Sequence, residues 1–285
     1  MDALGKKEGY SFEMYFNMNI RKSLPIITTS TFLFLSSIFL RIAATLPTWI
    51  VLEFSNESVN KEFSYGKYAS DAFIKELVQT GRYETVSQET LGRIFAELDL
   101  RLPLINENQI GRLGASLNAL TVITGTLKKT DMVLDKRGKR AEVILEALVN
   151  DVASGKVVNG AEVRATSSYA APGSTDPMLL KEAIQQAAFQ VVRTIVDRAL
   201  PEATIQNTLM GSAMMNYGIR QGYEKGWEVI VHRGTFLVAY AVIDHIDPTS
   251  GMIRIIKDFG GVRPGDKVRP VRSVVKLQEE NLLEK

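Results

Sequence analysis

Two runs of strict alternation constrain this chain more than any other feature. In RAEVILEALVND, Ala141, Val143, Leu145, Ala147 and Val149 share one side. In KVVNGAEVRAT, Val157, Ala161, Val163 and Ala165 do the same, with Glu162 and Arg164 opposite. A period of two marks strands covered on one face. A stripe at helical spacing follows: Leu180, Ile184, Ala187, Ala188, Val191, Ile195 and Ala199, closed by Pro201. Ser174, Thr175, Asp176 and Pro177 open it, with Asp176 placed to accept from the free amides and Pro177 suited to the first helical position. Such a helix must pack on a sheet, which predicts a mixed α/β fold.

The link between the two strands is DVASGKVV, residues 151–158. Its Ser-Gly-Lys resembles the end of a phosphate-binding loop. That loop needs a glycine, four residues, then Gly-Lys-Ser/Thr at the start of a helix. Here no glycine stands five residues before Gly155, Val157 follows Lys156, and the next element is a strand. The segment therefore reads as a hairpin turn with a bulge, where Gly155 takes positive φ at low cost.

Upstream, TWIVLEF is a short apolar strand. Tyr68, Ala69, Ala72, Phe73, Leu77 and Val78 recur at helical spacing up to Gly81. RYETV reads as strand. Ser87 caps a second helix with the stripe Leu91, Ile94, Phe95 and Leu98, and a third runs from Ile110 to Leu117 into the strand ALTVITGTL. These elements place an α/β domain at residues 46–203.

Before it, Arg21 and Lys22 precede an apolar run from Leu24 to Leu40, then small residues at Ala43 and Ala44. That order is the order of a secretory signal. Six Ser and Thr residues dilute the run below the ~20 apolar residues of a spanning helix. Met18 offers an alternative start, and Arg41 near the small residues fits an uncleaved anchor; a buried core helix is the competing reading. Residues 1–45 are thus a signal peptide or membrane anchor, and the rest is expected to be exported, periplasmic and associated with the inner or outer membrane.

After residue 203 the texture is β punctuated by glycine. WEVIVHRG, FLVAYAVIDHI and MIRIIKDF are strands between turns, Gly218, Gly222 and Gly226 recur every four residues, and KVRPV supplies a last strand. About five short strands suggest a small all-β barrel at residues 204–275, with a polar tail at 276–285.

The full length of 285 residues suits two domains, and a net charge of +2 gives no reason to expect nucleic acid. The absence of cysteine excludes disulfides, thiolate metal sites, thiol catalysis and lipidation on cysteine. His232 and His245 are the only histidines, thirteen apart and without the spacing of a metal motif. No nucleophile elbow, dinucleotide fingerprint or kinase set occurs. The expectation is a non-enzyme, with no catalytic, cofactor-binding or metal-site residues and no cofactor.

The strings VLEFSNES, YASDAFIKELVQTGRYETVSQETL, TVITGTL and LVNDVASGKVV, in that order, resemble the CsgG family, the periplasmic fold of the curli assembly component, related to TolB N-terminal-like domains. The likeness spans about 150 residues. It implies a fold that assembles into rings. Two departures accompany it. The lipidated cysteine is missing, and the places of the family's membrane hairpins hold LKKTDMVLDKRGKRAE and SSYAAPGSTDP. A membrane strand needs ~9–11 residues with apolar side chains outward, and mid-bilayer Lys or Arg costs ~2–4 kcal/mol each. The first segment carries Lys128, Lys129, Lys136, Arg137, Lys139 and Arg140. It reads as a solvated hairpin tip; contact with anionic lipid or wall polymer is the sharper alternative. The pattern N-x-G-x-x-x-G-x-x-x-G-W-x-V from Asn216, with Gly265-Asp266 later, looks like the SH3-like domain of the flagellar T-ring protein FlgT, in which these are turn positions. The resemblances imply a non-enzymatic envelope assembly or scaffold protein that self-associates as a homo-oligomer and binds other envelope proteins, the alternative being an outer-membrane secretion-channel subunit of the curli type.

Overall fold

In a computed structural model, which describes residues 46–58, 63–102, 104 and 106–278, alternation and helical spacing resolve into a sheet clad by four helices. The signal peptide or anchor expected at residues 1–45 lies outside the described residues. The first elements are β1 (Thr48–Val51), β2 (Ser55–Asn56), α1 (Phe63–Gln79), β3 (Glu84–Thr85), α2 (Gln88–Glu97) and α3 (Glu107–Ser116). Then come β4 (Thr121–Asp135), β5 (Gly138–Asp151), β6 (Val157–Thr166) and α4 (Asp176–Arg198). β1 lies between β3 and β4, parallel to both, while β4, β5 and β6 form an antiparallel meander.

The two faces of β1 explain its unbroken apolar sequence. Trp49 and Val51 turn toward a core roofed by α1 and α4, and Ile50 and Leu52 toward a second core with Leu91, Ile110 and Leu113 of α2 and α3. A strand buried on both sides carries no polar alternate. β5 and β6 meet helices on one side only. Ala141, Val143, Leu145, Ala147, Ala161, Val163 and Ala165 are buried under α4, and Glu142, Glu146, Glu162 and Arg164 stand on the other face in ion pairs.

The helix ends differ from expectation in instructive ways. Ser87 caps α2 by accepting from the Thr90 N–H. α3 starts at Glu107, earlier than its apolar stripe, because the Asn106 side chain accepts from the Gln109 N–H. On α4, Asp176 does not cap. Thr175 is the N-cap residue, without a side-chain cap bond, and the Asp176 carboxylate accepts from Lys139 Nζ instead, at 2.5 and 2.7 Å. Its charge still suits the positive helix N-terminus. Val78 stands half in water, so the α1 stripe ends at Leu77.

The second part holds β7 (Ala203–Leu209), β8 (Ser212–Met215), a 3₁₀ turn (Ile219–Gln221), β9 (Glu228–Arg233), β10 (Phe236–Ile246), β11 (Gly251–Asp258) and β12 (Lys267–Pro270). They close into a six-stranded antiparallel barrel of order β10-β11-β8-β7-β12-β9. The hairpin β7–β8 was not legible as strands, since Gln206, Asn207 and Thr208 interrupt any alternation. Gly222 and Gly226 hold φ of +84° and +85°, as turn positions should. Gly218 is different. Its φ is extended, and a Cβ there would stand 2.0 Å from the Asp247 carbonyl oxygen, so close approach selects the glycine.

The chain does not end in the barrel. After Pro270 it returns to the first sheet, where β13 (Val275–Gln278) runs parallel to β6, with Val275 opposite Ala161. Residues expected to form the barrel's end and a polar tail thus extend the α/β sheet. The outer edge of β6 offers backbone donors and acceptors that a returning strand satisfies. The described residues, from Leu46 on, fall in one compact unit. Among the described residues, no helix is long and apolar enough to cross a membrane.

Candidate functional site

The DVASGKVV segment joins the sheet to the barrel. Asp151 is buried. Its Oδ2 accepts from the Ser154 N–H and hydroxyl, both at 2.8 Å, which folds the turn. Gly155 adopts φ +69°, and a Cβ there would lie 2.6 Å from the Glu107 Cα of α3. Lys156 places its ammonium 4.3 Å from the centre of the Tyr240 ring on β10. The apparent phosphate loop is therefore engaged with protein at Asp151, Ser154, Gly155 and Lys156, with the Lys156 side chain at the surface.

The other oxygen of Asp151 reaches across the junction. Arg269 of β12 donates from Nη1 to Asp151 Oδ1 at 2.8 Å and to the Leu120 carbonyl at 3.1 Å. Its Nη2 and Nε donate to Glu202 Oε1 at 2.5 and 3.2 Å. Glu202, between α4 and β7, also meets His232 Nε2 at 3.2 Å, and His232 Nδ1 lies 2.9 Å from the Gly234 carbonyl. Beside this cluster the Tyr223 hydroxyl donates to the Pro201 carbonyl at 2.7 Å and accepts from the Ala203 N–H.

Electrostatics match the geometry. Burial works to raise the Glu202 pKa, but the His232 hydrogen bond and the Arg269 charge outweigh it and hold the carboxyl at about 2. Burial disfavours the Arg269 charge, yet Asp151 and Glu202 hold it above its ordinary range. Burial pushes the Tyr223 phenol well up. This set keeps fixed charges in a fixed arrangement.

A cleft of about 360 Å³ lies elsewhere, where the chain leaves β1 between α1 and α2. Leu52, Leu91, Phe95 and Leu102 line it, and the Lys67–Asp71 ion pair, 2.9 Å, stands on its rim. It sits at the carboxyl end of a parallel strand, the usual place for ligands on such sheets. Its apolar lining and charged rim suit an apolar side chain of a partner.

The remaining sequence candidates separate. His232 is buried in the junction, while His245 is exposed, 3.4 Å from Asp247. No cluster of three or more metal-ligating side chains occurs among the described residues. The basic segment forms the β4–β5 hairpin tip. Lys128 pairs with Glu146 and Glu162, Lys129 with Glu142, and Lys139 with Asp176. Beyond the Glu142–Thr166 pair with β6, four residue pairs project, Met132–Ala141 to Asp135–Gly138. That is short of the ~9–11 residues of a membrane strand. The SSYAAPGSTDP loop folds back on this tip, where Tyr169 donates to Asp135 and Arg137 and Arg140 stand 5.5 Å from the Tyr169 ring centre. Sequence reasoning missed Asp151, Glu202, Arg269 and Tyr223. An Asp three residues before a Ser, at the start of a turn, was the one available signal.

Neither a protein-family model nor a curated protein sequence matches the chain. Among solved structures, it is similar to lipoprotein GNA1162 from Neisseria meningitidis, with 16% identity, a TM-score of 0.36, and coverage of 50% of this chain and 98% of that one. It is also similar to the PelC dodecamer from Paraburkholderia phytofirmans, with 14% identity, a TM-score of 0.32, and coverage of 51% and 89%. A third is the LpoB C-terminal domain from Escherichia coli, with 13% identity, a TM-score of 0.30, and coverage of 45% and 90%.

Proposed function

We propose that this chain is a non-enzymatic assembly or scaffold protein of the cell envelope, exported to the periplasm, that self-associates and docks other envelope proteins. One observation carries the reading. The side chains of Asp151, Glu202, His232 and Arg269 tie the barrel to the sheet, so the polar network at this junction serves architecture. The fused sheet and barrel make a platform, and the β1 cleft offers a place for a partner's side chain. The α/β part is the CsgG-like module of the sequence resemblance, and the barrel its SH3-like companion. Export rests on the basic, apolar, small order of residues 21–45. The short projection of the β4–β5 hairpin favours this reading over a secretion channel.

The test is the mass of the fragment from residue 46 by analytical ultracentrifugation across a concentration series without detergent. Self-association that rises with concentration to a defined oligomer is expected. A monomer at every concentration would contradict the assembly role. Crosslinking in intact cells then identifies the docked partner.

A further inference from the structure

In a closed antiparallel barrel, the β7–β8 turn, the β9–β10 turn and the end of β11 lie at the same end. The β7–β8 turn touches β11 directly, since the Ile255 N–H donates to the Gly211 carbonyl at 2.9 Å. Large apolar side chains stand in water there. Met210 is fully exposed, Phe236 is 77% exposed, and Leu209, Ile256 and Phe259 are about half exposed. Single exposed apolar residues need no explanation, but five on one rim do.

The charges around them have one dominant sign. Lys257, Arg263 and Lys267 are exposed, and Lys257 lies 4.8 Å from the centre of the Phe259 ring. Arg233 is held by buried Asp266, and Arg254 lies 3.9 Å from Asp244. With Asp258 included, five cations meet three carboxylates, a net of +2. Along the β4–β5 hairpin, by comparison, Lys128, Lys129 and Lys139 are each paired with carboxylates. Met210 stands in the β7–β8 turn and Phe259 just past β11, with Leu209, Phe236 and Ile256 at or near the strand ends beside them; the cleft belongs to the α/β part. Projecting apolar tips within a cationic ring fit a deformable, negatively charged layer better than a peptide, which needs concavity.

We infer that the barrel rim of Leu209, Met210, Phe236, Ile256 and Phe259 dips into the headgroup layer of an anionic phospholipid surface, with Lys257, Arg263 and Lys267 facing the lipid phosphates. This contact goes beyond the assembly role and does not depend on it.

The absence of native cysteine makes the test specific. Full-length Met210→Cys and Ile219→Cys variants carry one polarity-sensitive fluorophore each. Ile219 is exposed at the opposite end of the barrel. With phosphatidylglycerol–phosphatidylcholine vesicles, the label at 210 gains intensity and is quenched by brominated acyl chains, and the label at 219 is unchanged. Neutral vesicles give a much smaller change. The paired substitutions Met210→Ser and Phe236→Ser, read with a label at position 209 (Leu209→Cys), lower rim partitioning roughly tenfold or more while Trp227 emission confirms folding. Three results would overturn the inference: a label at 210 that stays in water while the chain is held to vesicles elsewhere, equal responses at 210 and 219, or a 210 response that tracks protein concentration without lipid, which would assign the rim to a second copy.

Discussion

The wall of the barrel that meets the sheet and the rim at the β7–β8 turn solve opposite problems. At the wall, polar and charged groups are buried or half-buried, and every one named is paired: Asp151 with Arg269, Arg269 with Glu202, Glu202 with His232. At the rim, apolar groups are exposed, with Met210 wholly in water. Burying charge is costly unless geometry repays it, so the wall is a structural commitment made once, when the chain folds. Exposed apolar surface costs little stability in the free protein and gains only when something covers it. The wall therefore describes how the molecule holds together, and the rim what it meets.

The largest expected effect breaks the wall. Arg269→Ala leaves Asp151 and Glu202 without their shared partner and should cost about 3–5 kcal/mol in urea unfolding. Arg269→Met, which fills the space but also strands the carboxylates, should recover little. Next is Gly155→Ala, which adds a Cβ at positive φ against the Glu107 backbone. Strain and overpacking together predict about 2–4 kcal/mol, measured the same way.

Acid sharpens the comparison from the wall's side. The folded-state pKa of Glu202, about 2, lies below the ordinary 4.5, so its ionised form favours folding. That contribution is complete above about pH 4.5 and is lost as pH falls through about 2. Stability measured against pH should decline across this window, and Glu202→Gln should flatten the decline. The smallest effect falls on the hairpin tip. The Lys139–Asp176 pair is half exposed, so Lys139→Ala should change stability by less than about 1 kcal/mol. Thermal melting at two salt concentrations would check it.

Legibility in the sequence followed the same division between periodic and non-periodic chemistry. β5, β6 and α4 were readable because their burial repeats every two or 3.6 residues. The Gly155 turn was readable because positive φ selects glycine. β7–β8 was hidden, since Gln206, Asn207 and Thr208 break the alternation of a strand that is only half covered. β13 was hidden because its partner, β6, lies more than 100 residues earlier, and pairing leaves no local mark. The wall suffered most. Asp151 and Arg269 are 118 residues apart, and only the closed fold brings them together. Asp176 looked like a cap by position, but a lysine 37 residues away claimed its carboxylate.

The central claim is that the buried ion network fuses sheet and barrel into one cooperative structure. The chain contains two tryptophans, Trp49 in β1, its ring tilted against Tyr83 with centroids 4.0 Å apart, and Trp227 at the barrel, 5.0 Å beneath Arg272. Trp227→Phe leaves the sheet's reporter, and Trp49→Phe leaves the barrel's. Urea unfolding followed by the two single-tryptophan proteins should give transitions of the same midpoint and steepness relative to far-UV circular dichroism of each, and Arg269→Ala should pull them apart. Separate transitions for sheet and barrel with Arg269 intact would contradict the account.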